Sequence, residues 1–212
     1  MIPYRPTMLH LEVENLSKKF LRGYVFKKFN YHFSDGNAYA VTGSNGSGKS
    51  TLLQVLCGYM MSTQGKIILK DREVIIEEEL QFQYFSIASP FMELIEEYTV
   101  AEHIHFHSKL KNMLVKDTNE IGEVFQLGNE LNKPIKYLSS GNKQRVKLAL
   151  AFCTDSKILL LDEPTQNLDN RGLALYLNAI EKYTKERMVI VSSNDDREYG
   201  FCKEIIKMED YK

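Results

Sequence analysis

The chain is poor in cysteine. Cys57, Cys153 and Cys202 lie far apart, are odd in number and form no CxxC pair. That argues against a disulfide framework and for single thiols in a reducing compartment. Long apolar runs are missing as well: none approaches the ~18 residues that a membrane span needs. The opening residues Met1-Ile2-Pro3-Tyr4-Arg5-Pro6 hold no apolar stretch like that of a signal peptide. A cytoplasmic protein is expected, one that serves a membrane only through a partner. Nor is there an excess of either charge. The formal net charge is −1, so no global basic field draws the chain to nucleic acid or anionic lipid, and no nucleic-acid partner is expected. Low-complexity segments and internal repeats are absent too. What remains is an ordinary globular composition, 43% hydrophobic and 26% charged, in 212 residues. That suffices for one domain with a real core, or one domain with a subdomain.

The hydrophobic pattern alternates between two periods. Leu9 to Val13 alternates like a half-buried strand, and Ala38 to Thr42 is a short strand that runs into a glycine loop. Leu52 to Cys57 continues as a helix. Lys66 to Lys70 and Phe82 to Ile87 predict further strands. Val100 to Lys111, Asn119 to Leu127 and Asn142 to Cys153 predict helices. Ile158 to Leu161 is continuously apolar, as a strand buried on both faces must be. Gly172 to Lys182 is a predicted helix and Met188 to Ser192 a strand. Such alternation predicts an α/β fold with a mostly parallel sheet. From about Ser89 to Asp155 there are helices but no clear strand, so a helical subdomain inserted into the sheet core is expected.

Gly43-Ser44-Asn45-Gly46-Ser47-Gly48-Lys49-Ser50 fits the phosphate-loop pattern GxxxxGK[ST], and Thr51 follows it. Glycines let the backbone bend so that its N–H groups converge on phosphates. The helix that opens at Lys49 adds its positive end. Lys49 is expected at the β and γ phosphates and the Ser50 hydroxyl on Mg2+, which makes ATP with magnesium the expected ligand. Ile158 to Glu163 supplies the complement: a buried strand that delivers Asp162 to the metal shell. Glu163 points elsewhere, since side chains alternate, and could hold and deprotonate a water. Ser139, Ser140 and Gly141 precede a helix. Ser139 can simply cap it; alternatively serine hydroxyl, glycine N–H and helix end form a second anion site. One chain rarely needs two phosphate sites unless each touches a nucleotide held mainly by another subunit.

This order of motifs resembles the ATP-binding-cassette (ABC) ATPase family over nearly the whole chain. Gly43 to Thr51 resembles its Walker A loop, Ile158 to Glu163 its Walker B strand and catalytic glutamate, and Leu138 to Asn142 its LSGGQ signature, with Ser140 and Asn142 departing from that pattern. Asn167-Leu168-Asp169 resembles the D-loop. The resemblance implies a P-loop NTPase fold: a single cassette of residues 1–212 with an N-terminal antiparallel β element and a helical subdomain at about 89–155. It implies ATP hydrolysis, head-to-tail docking with a second cassette, and a membrane permease as partner, with the chain on the inner face of the membrane. The short length resembles the compact ATPases of haem-exporter, cytochrome-c-maturation and ABC-2-type systems. Phe20 stands where the family places an aromatic on adenine, with Tyr24 as competitor and core packing as the plain alternative.

Two positions depart from the family's pattern. Where it has a glutamine that senses magnesium and water, this chain has Ser89. Where it has a histidine at the γ-phosphate, this chain has Asn194, which can donate a hydrogen bond but cannot titrate. Slow hydrolysis is therefore expected. The rival readings are a weakly hydrolytic, ATP-gated regulatory cassette, or a soluble cassette working on nucleic acid or the ribosome.

Three other segments carry weaker signals. His103 and His107 share a helix face with four-residue spacing but lack a third metal ligand, so a partly exposed helix face is expected. Glu77-Glu78-Glu79 and Glu96-Glu97 are expected to be solvated. Phe91, Met92, Leu94 and Ile95 either pack the helical subdomain or receive a helix of the membrane subunit.

Overall fold

The structure, a computed structural model, describes residues 9–21 and 23–212. Met1 to Pro6, read above for a signal-like stretch, lie outside them. Two sheets carry the fold. β1 (Leu9–Phe20) and β2 (Gly23–Ser34) form a long antiparallel hairpin. β3 (Ala38–Thr42) enters the glycine loop and α1 (Lys49–Leu56) leaves it. β4 (Gln64–Asp71) and β5 (Val74–Ile75) complete the antiparallel sheet in the order β2-β1-β4-β5. After the short α2 (Glu78–Gln81) comes β6 (Phe85–Ala88), followed by α3 (Val100–Leu110), α4 (Thr118–Val124) and α5 (Ser140–Cys153). β7 (Ile158–Asp162), α6 (Asn170–Tyr183), β8 (Met188–Ser192), α7 (Asp196–Tyr199) and β9 (Glu204–Lys207) follow. The second sheet runs β6-β7-β8-β3-β9 and is parallel at every pairing. Among the described residues no helix is long and apolar enough to cross a membrane.

Alternation on the central strands sorts the core into two layers. Ile158 and Leu160 of β7 pack with Leu52, Leu53, Val55 and Leu56 of α1 and with the antiparallel sheet. Leu159 and Leu161 pack instead with Val146, Ala149 and Phe152 of α5 and Leu175 and Tyr176 of α6. A parallel strand covered on both faces has to be apolar throughout, which is why all five residues of β7 are buried. Parity also sets the direction of Asp162: two residues beyond Leu160, it faces the α1 side.

The hairpin partner β2 has no clean alternation in sequence, and the structure gives the reason. Lys28 takes φ 50 and Asn15 takes φ 48, and the β1–β2 register shifts between Val13 and Leu16 and again at Lys18. Each bulge changes which parity points inward. Phe26, Phe29 and Phe33 thereby all reach the core although their spacing is irregular.

A second departure concerns the histidines. His103 is buried and His107 half-buried, while His105 is exposed. The shared face of His103 and His107 thus points inward, against the expectation of a partly exposed face. His107 Nε2 lies 2.8 Å from Thr154 Oγ1, and burial lowers its pKa to about 4. Burial lowers the His103 pKa as well. No group of three or more His, Cys, Asp or Glu is gathered for a metal ion among the described residues.

Arg187, 6% exposed, ties the parallel sheet to α5. Its guanidinium donates to Phe152 O at 3.1 Å, Ser86 Oγ at 2.7 Å and Ser156 Oγ at 2.5 Å. The Phe152 carbonyl lies at the C-terminal end of α5, the negative end of the helix. Burial depresses the Arg187 pKa to about 10. Hydrogen bonds from charged groups contribute about 1.5–3 kcal/mol each, and orphaned acceptors add to the cost. Arg187→Ala is therefore expected to lower the unfolding free energy by about 2–4 kcal/mol in urea titration. A loss under about 1 kcal/mol would mean that the clamp is dispensable.

Candidate nucleotide and metal site

The glycine loop is strained in the way that its glycines permit. Gly43, Gly46 and Gly48 have φ 145, 81 and 105, a region that disfavours a Cβ. At Gly48 a Cβ would also meet Val25 Cγ1 at 2.6 Å, and at Gly43 it would meet Ser47 Oγ at 2.7 Å. Gly48 is the N-cap of α1 and supplies no side-chain cap. The first amides of α1 are thus left to an external acceptor, the arrangement that binds anions at helix starts. Lys49 folds back over its loop, with Nζ donating to Gly43 O at 2.6 Å. Asn45 to Thr51, Val25 and Glu163 line a cavity of about 340 Å³. Larger grooves of about 680 Å³ beside α3 and about 690 Å³ beside α1 and α2 contain no phosphate loop.

Asp162 is buried at the end of β7, 1% exposed. Ser50 Oγ donates to its Oδ1 at 3.1 Å and Ser89 Oγ to its Oδ2 at 2.9 Å. Ser89 is itself buried, one residue past β6, where parallel pairing sets Ala88 beside Leu161. A carboxylate and two hydroxyls are hard oxygen donors that suit Mg2+. A buried carboxylate met only by neutral hydroxyls is also under-compensated electrostatically. The residues therefore fit a divalent cation held by Ser50 and Asp162.

Glu163 is not aimed by strand alternation, contrary to the sequence expectation. β7 ends at Asp162, and Glu163 turns through φ 46, a left-handed conformation that is uncommon for a non-glycine residue. Its amide donates to Ser192 O at 2.8 Å. This turn brings Glu163 to the cavity over the phosphate loop. Asn194 closes another side: its Oδ1 accepts from Gly43 N at 3.4 Å and its Nδ2 donates to Asn45 Oδ1 at 3.2 Å.

Phe20 is 48% exposed and Tyr24 40% exposed at the turn end of the β1–β2 hairpin, where Phe20 pairs with Gly23, so Phe20 is no core aromatic. Lys18 Nζ sits 5.0 Å from the Phe20 ring centre, and Lys19 and Lys27 sit over Tyr24. Ser139, Ser140 and Gly141 are elsewhere and do not line the phosphate-loop cavity. Ser139 caps α5 by accepting from Asn142 N at 3.2 Å. Asn167, in the segment likened to a D-loop, has φ 65, and its carbonyl approaches Gly141 to within 3.0 Å of where a Cβ would stand.

Sequence reasoning passed over three side chains here. Glu209 Oε1 accepts from Ser44 N at 2.8 Å, and that backbone hydrogen bond holds its pKa below the ordinary glutamate value. Gln144 Nε2 donates to Pro164 O at 2.9 Å. Glu198 Oε1 accepts from Thr165 N at 2.8 Å. Glu209 and Glu198 belong to no local motif. The signal in sequence for Gln144 is its place one turn into α5, in the segment Leu138 to Arg145 that carries the signature.

The family model for ABC transporters matches residues 26–166. An uncharacterized ABC transporter ATP-binding protein of Bacillus subtilis, YybJ, is 30% identical over 203 residues, which cover 93% of this chain and 92% of that protein. The cytochrome c biogenesis ATP-binding export protein CcmA of Brucella abortus is 27% identical over 185 residues, covering 87% and 85%. Among solved structures, a dimeric ATP-binding cassette in a post-hydrolysis state bound to ADP and Pi shares the fold, with a TM-score of 0.76 over 93% of each chain and 22% identity. Taken with the phosphate loop and the buried carboxylate beside it, the match places this chain in the ABC transporter family, as an ATP-binding subunit with ATPase activity.

Proposed function

We propose that residues 43–51 cradle the triphosphate of ATP, with Lys49 at the β and γ phosphates and Ser50 and Asp162 holding Mg2+. The observation that carries this reading is the Ser50–Asp162–Ser89 cluster, which joins the loop, β7 and the end of β6 at one carboxylate. Bound magnesium would offset phosphate charge as it develops. Glu163 faces the same cavity and serves as the base that takes a proton from the attacking water. Phe20 supplies a ring for adenine at the turn end of the hairpin. Ser139, Ser140 and Gly141 meet the nucleotide of a second cassette docked head to tail; the exposure of Ser139 and Ser140, and the absence of all three from the lining of the cavity of their own chain, support this. Residues 1–212 act as one cassette, with about 89–155 as its helical part, and ATP-driven closure moves a membrane permease. The chain then sits at the inner membrane face through that permease. In this proposal Glu163→Gln abolishes ATPase activity, leaves ATP binding intact and accumulates an ATP-bound dimer in light scattering. Equal turnover by the variant and wild type would exclude Glu163 as base.

Asn194 sits at the phosphate loop with an amide in place of an imidazole. An amide cannot become a cation that offsets developing negative charge. Asn194→His is expected to raise steady-state phosphate release about tenfold, or roughly 1.4 kcal/mol of barrier, with little change in ATP affinity. Ser89→Gln and the double variant belong in the same assay. If none exceeds wild type, the regulatory reading with weak or no hydrolysis gains ground.

The permease surface is proposed at Phe91, Met92, Leu94 and Ile95, which follow Ser89 directly. All four are half-buried, and Leu94 packs on the core. The Phe91 ring lies 5.2 Å from that of Tyr59. Tyr59 and Met61 are 69% and 79% exposed beside the groove near α1, so apolar surface continues past the segment. Phe91→Asp and Ile95→Asp should leave ATP binding unchanged and break co-purification with the permease. Insoluble or unfolded variants would instead assign these side chains to internal packing.

A further inference from the structure

Three segments around the site meet at one turn. Pro164 and Thr165 follow Glu163 and precede Asn167-Leu168-Asp169, where α6 begins with Asp169 as its cap. On one side Gln144, buried in α5, donates to Pro164 O at 2.9 Å. On the other side Glu198, 4% exposed, accepts from Thr165 N at 2.8 Å and from the Thr165 hydroxyl. Glu198 lies on α7, four residues past Asn194. Its own carbonyl is fixed by the Tyr176 hydroxyl at 2.7 Å.

The chemistry of this contact is unusual for simple packing. None of the ion pairs among the described residues includes Glu198. A buried carboxylate outside any close ion pair is costly; here it meets two neutral donors of a single residue. Charge-assisted hydrogen bonds of this kind are shorter and stronger than neutral ones. The backbone that they hold is itself under tension, with left-handed φ at Glu163 and Asn167 on either side of Thr165.

We propose that Glu198 is a positioning residue for hydrolysis. By gripping Thr165 it fixes the turn that carries Glu163 and Asn167 relative to the segment that carries Asn194. The base and the γ-phosphate contact are thereby held as one unit, and Gln144 passes the same position to the signature helix α5. Glu198 does not line the phosphate-loop cavity. This inference rests on the reading of Glu163 as base.

The test uses the full chain. Steady-state kinetics are measured for wild type, Glu198→Ala, Glu198→Gln, Thr165→Val and Glu198→Ala/Thr165→Val. A displacement of about 1 Å in a reacting group can cost on the order of 100-fold in rate. Glu198→Ala should therefore lower kcat by roughly tenfold to 100-fold, with KM for ATP unchanged. Glu198→Gln keeps an acceptor for Thr165 N and should recover most of the loss. The double variant should be no slower than the slower single one, because both remove one contact. Hydrogen exchange of the peptide over residues 163–169 gives a second readout: Glu198→Ala should exchange faster there and not in β7. Unchanged kcat, unchanged exchange at the turn, or a fall in kcat that Glu198→Gln does not rescue would each overturn the proposal. Glu163→Gln in the same assay separates the two claims. If it hydrolyses ATP as fast as wild type, the base assignment fails, while a rescued loss of kcat in Glu198→Ala would still assign the turn's position to Glu198.

Discussion

A carboxylate buried at the C-terminal end of a parallel strand is the constraint on which this molecule turns. Asp162 is almost wholly removed from water, and its oxygens receive the hydroxyls of Ser50 and Ser89. Neutral donors reduce the cost of burying a charge but do not cancel it. The cluster therefore suits a cation, and the phosphate loop lies beside it. Three elements must agree for this to exist. Alternation along β7 must send Asp162 toward α1, the loop must deliver Ser50 at the start of that helix, and β6 must end in register with β7 so that Ser89 lies alongside.

The two-layer core serves this agreement. α1 packs on one face of the parallel sheet with the antiparallel sheet behind it, and α5 and α6 pack on the other. The phosphate loop is thus wedged between β3 and the β1–β2 hairpin, where Val25 leaves no room for a Cβ on Gly48. Arg187 joins the far end of the sheet to the end of α5. Because α5 is capped by Ser139 and ends at that clamp, the exposed Ser139 and Ser140 are carried on a rod anchored in the core.

Much of this was legible in the sequence because it is local. A glycine loop between strand and helix, an apolar strand ending in Asp-Glu, and a serine cap before a long helix each occupy under ten residues, and the structure brings Ser50, Asp162, Ser89, Glu163 and Asn194 around one loop. What was not legible depends on pairing across the chain. β2 was obscured because its bulges break the period that reveals a strand. His103 and His107 face inward because α3 packs on its neighbours, which spacing alone does not tell. Glu198, Gln144 and Glu209 act on backbone groups 33, 20 and 165 positions away, and no local pattern marks a side chain whose partner is a distant amide or carbonyl. Strand parity does not give the direction of Glu163, since a left-handed turn aims it.

The Lys49 ammonium already has a partner in its own loop, the carbonyl of Gly43. An arriving phosphate therefore does not meet a bare cation; it competes with an internal acceptor. Any affinity would be the difference between two states in which the ammonium is satisfied, so its full Coulombic attraction would not appear as binding energy. Selectivity follows from the same exchange. An anion that cannot span the loop far enough to replace that carbonyl gains little, whereas a chain of phosphates reaches the ammonium and the α1 amides together. A loop of this geometry would favour a chain of phosphates over a single one without any side chain dedicated to measuring it.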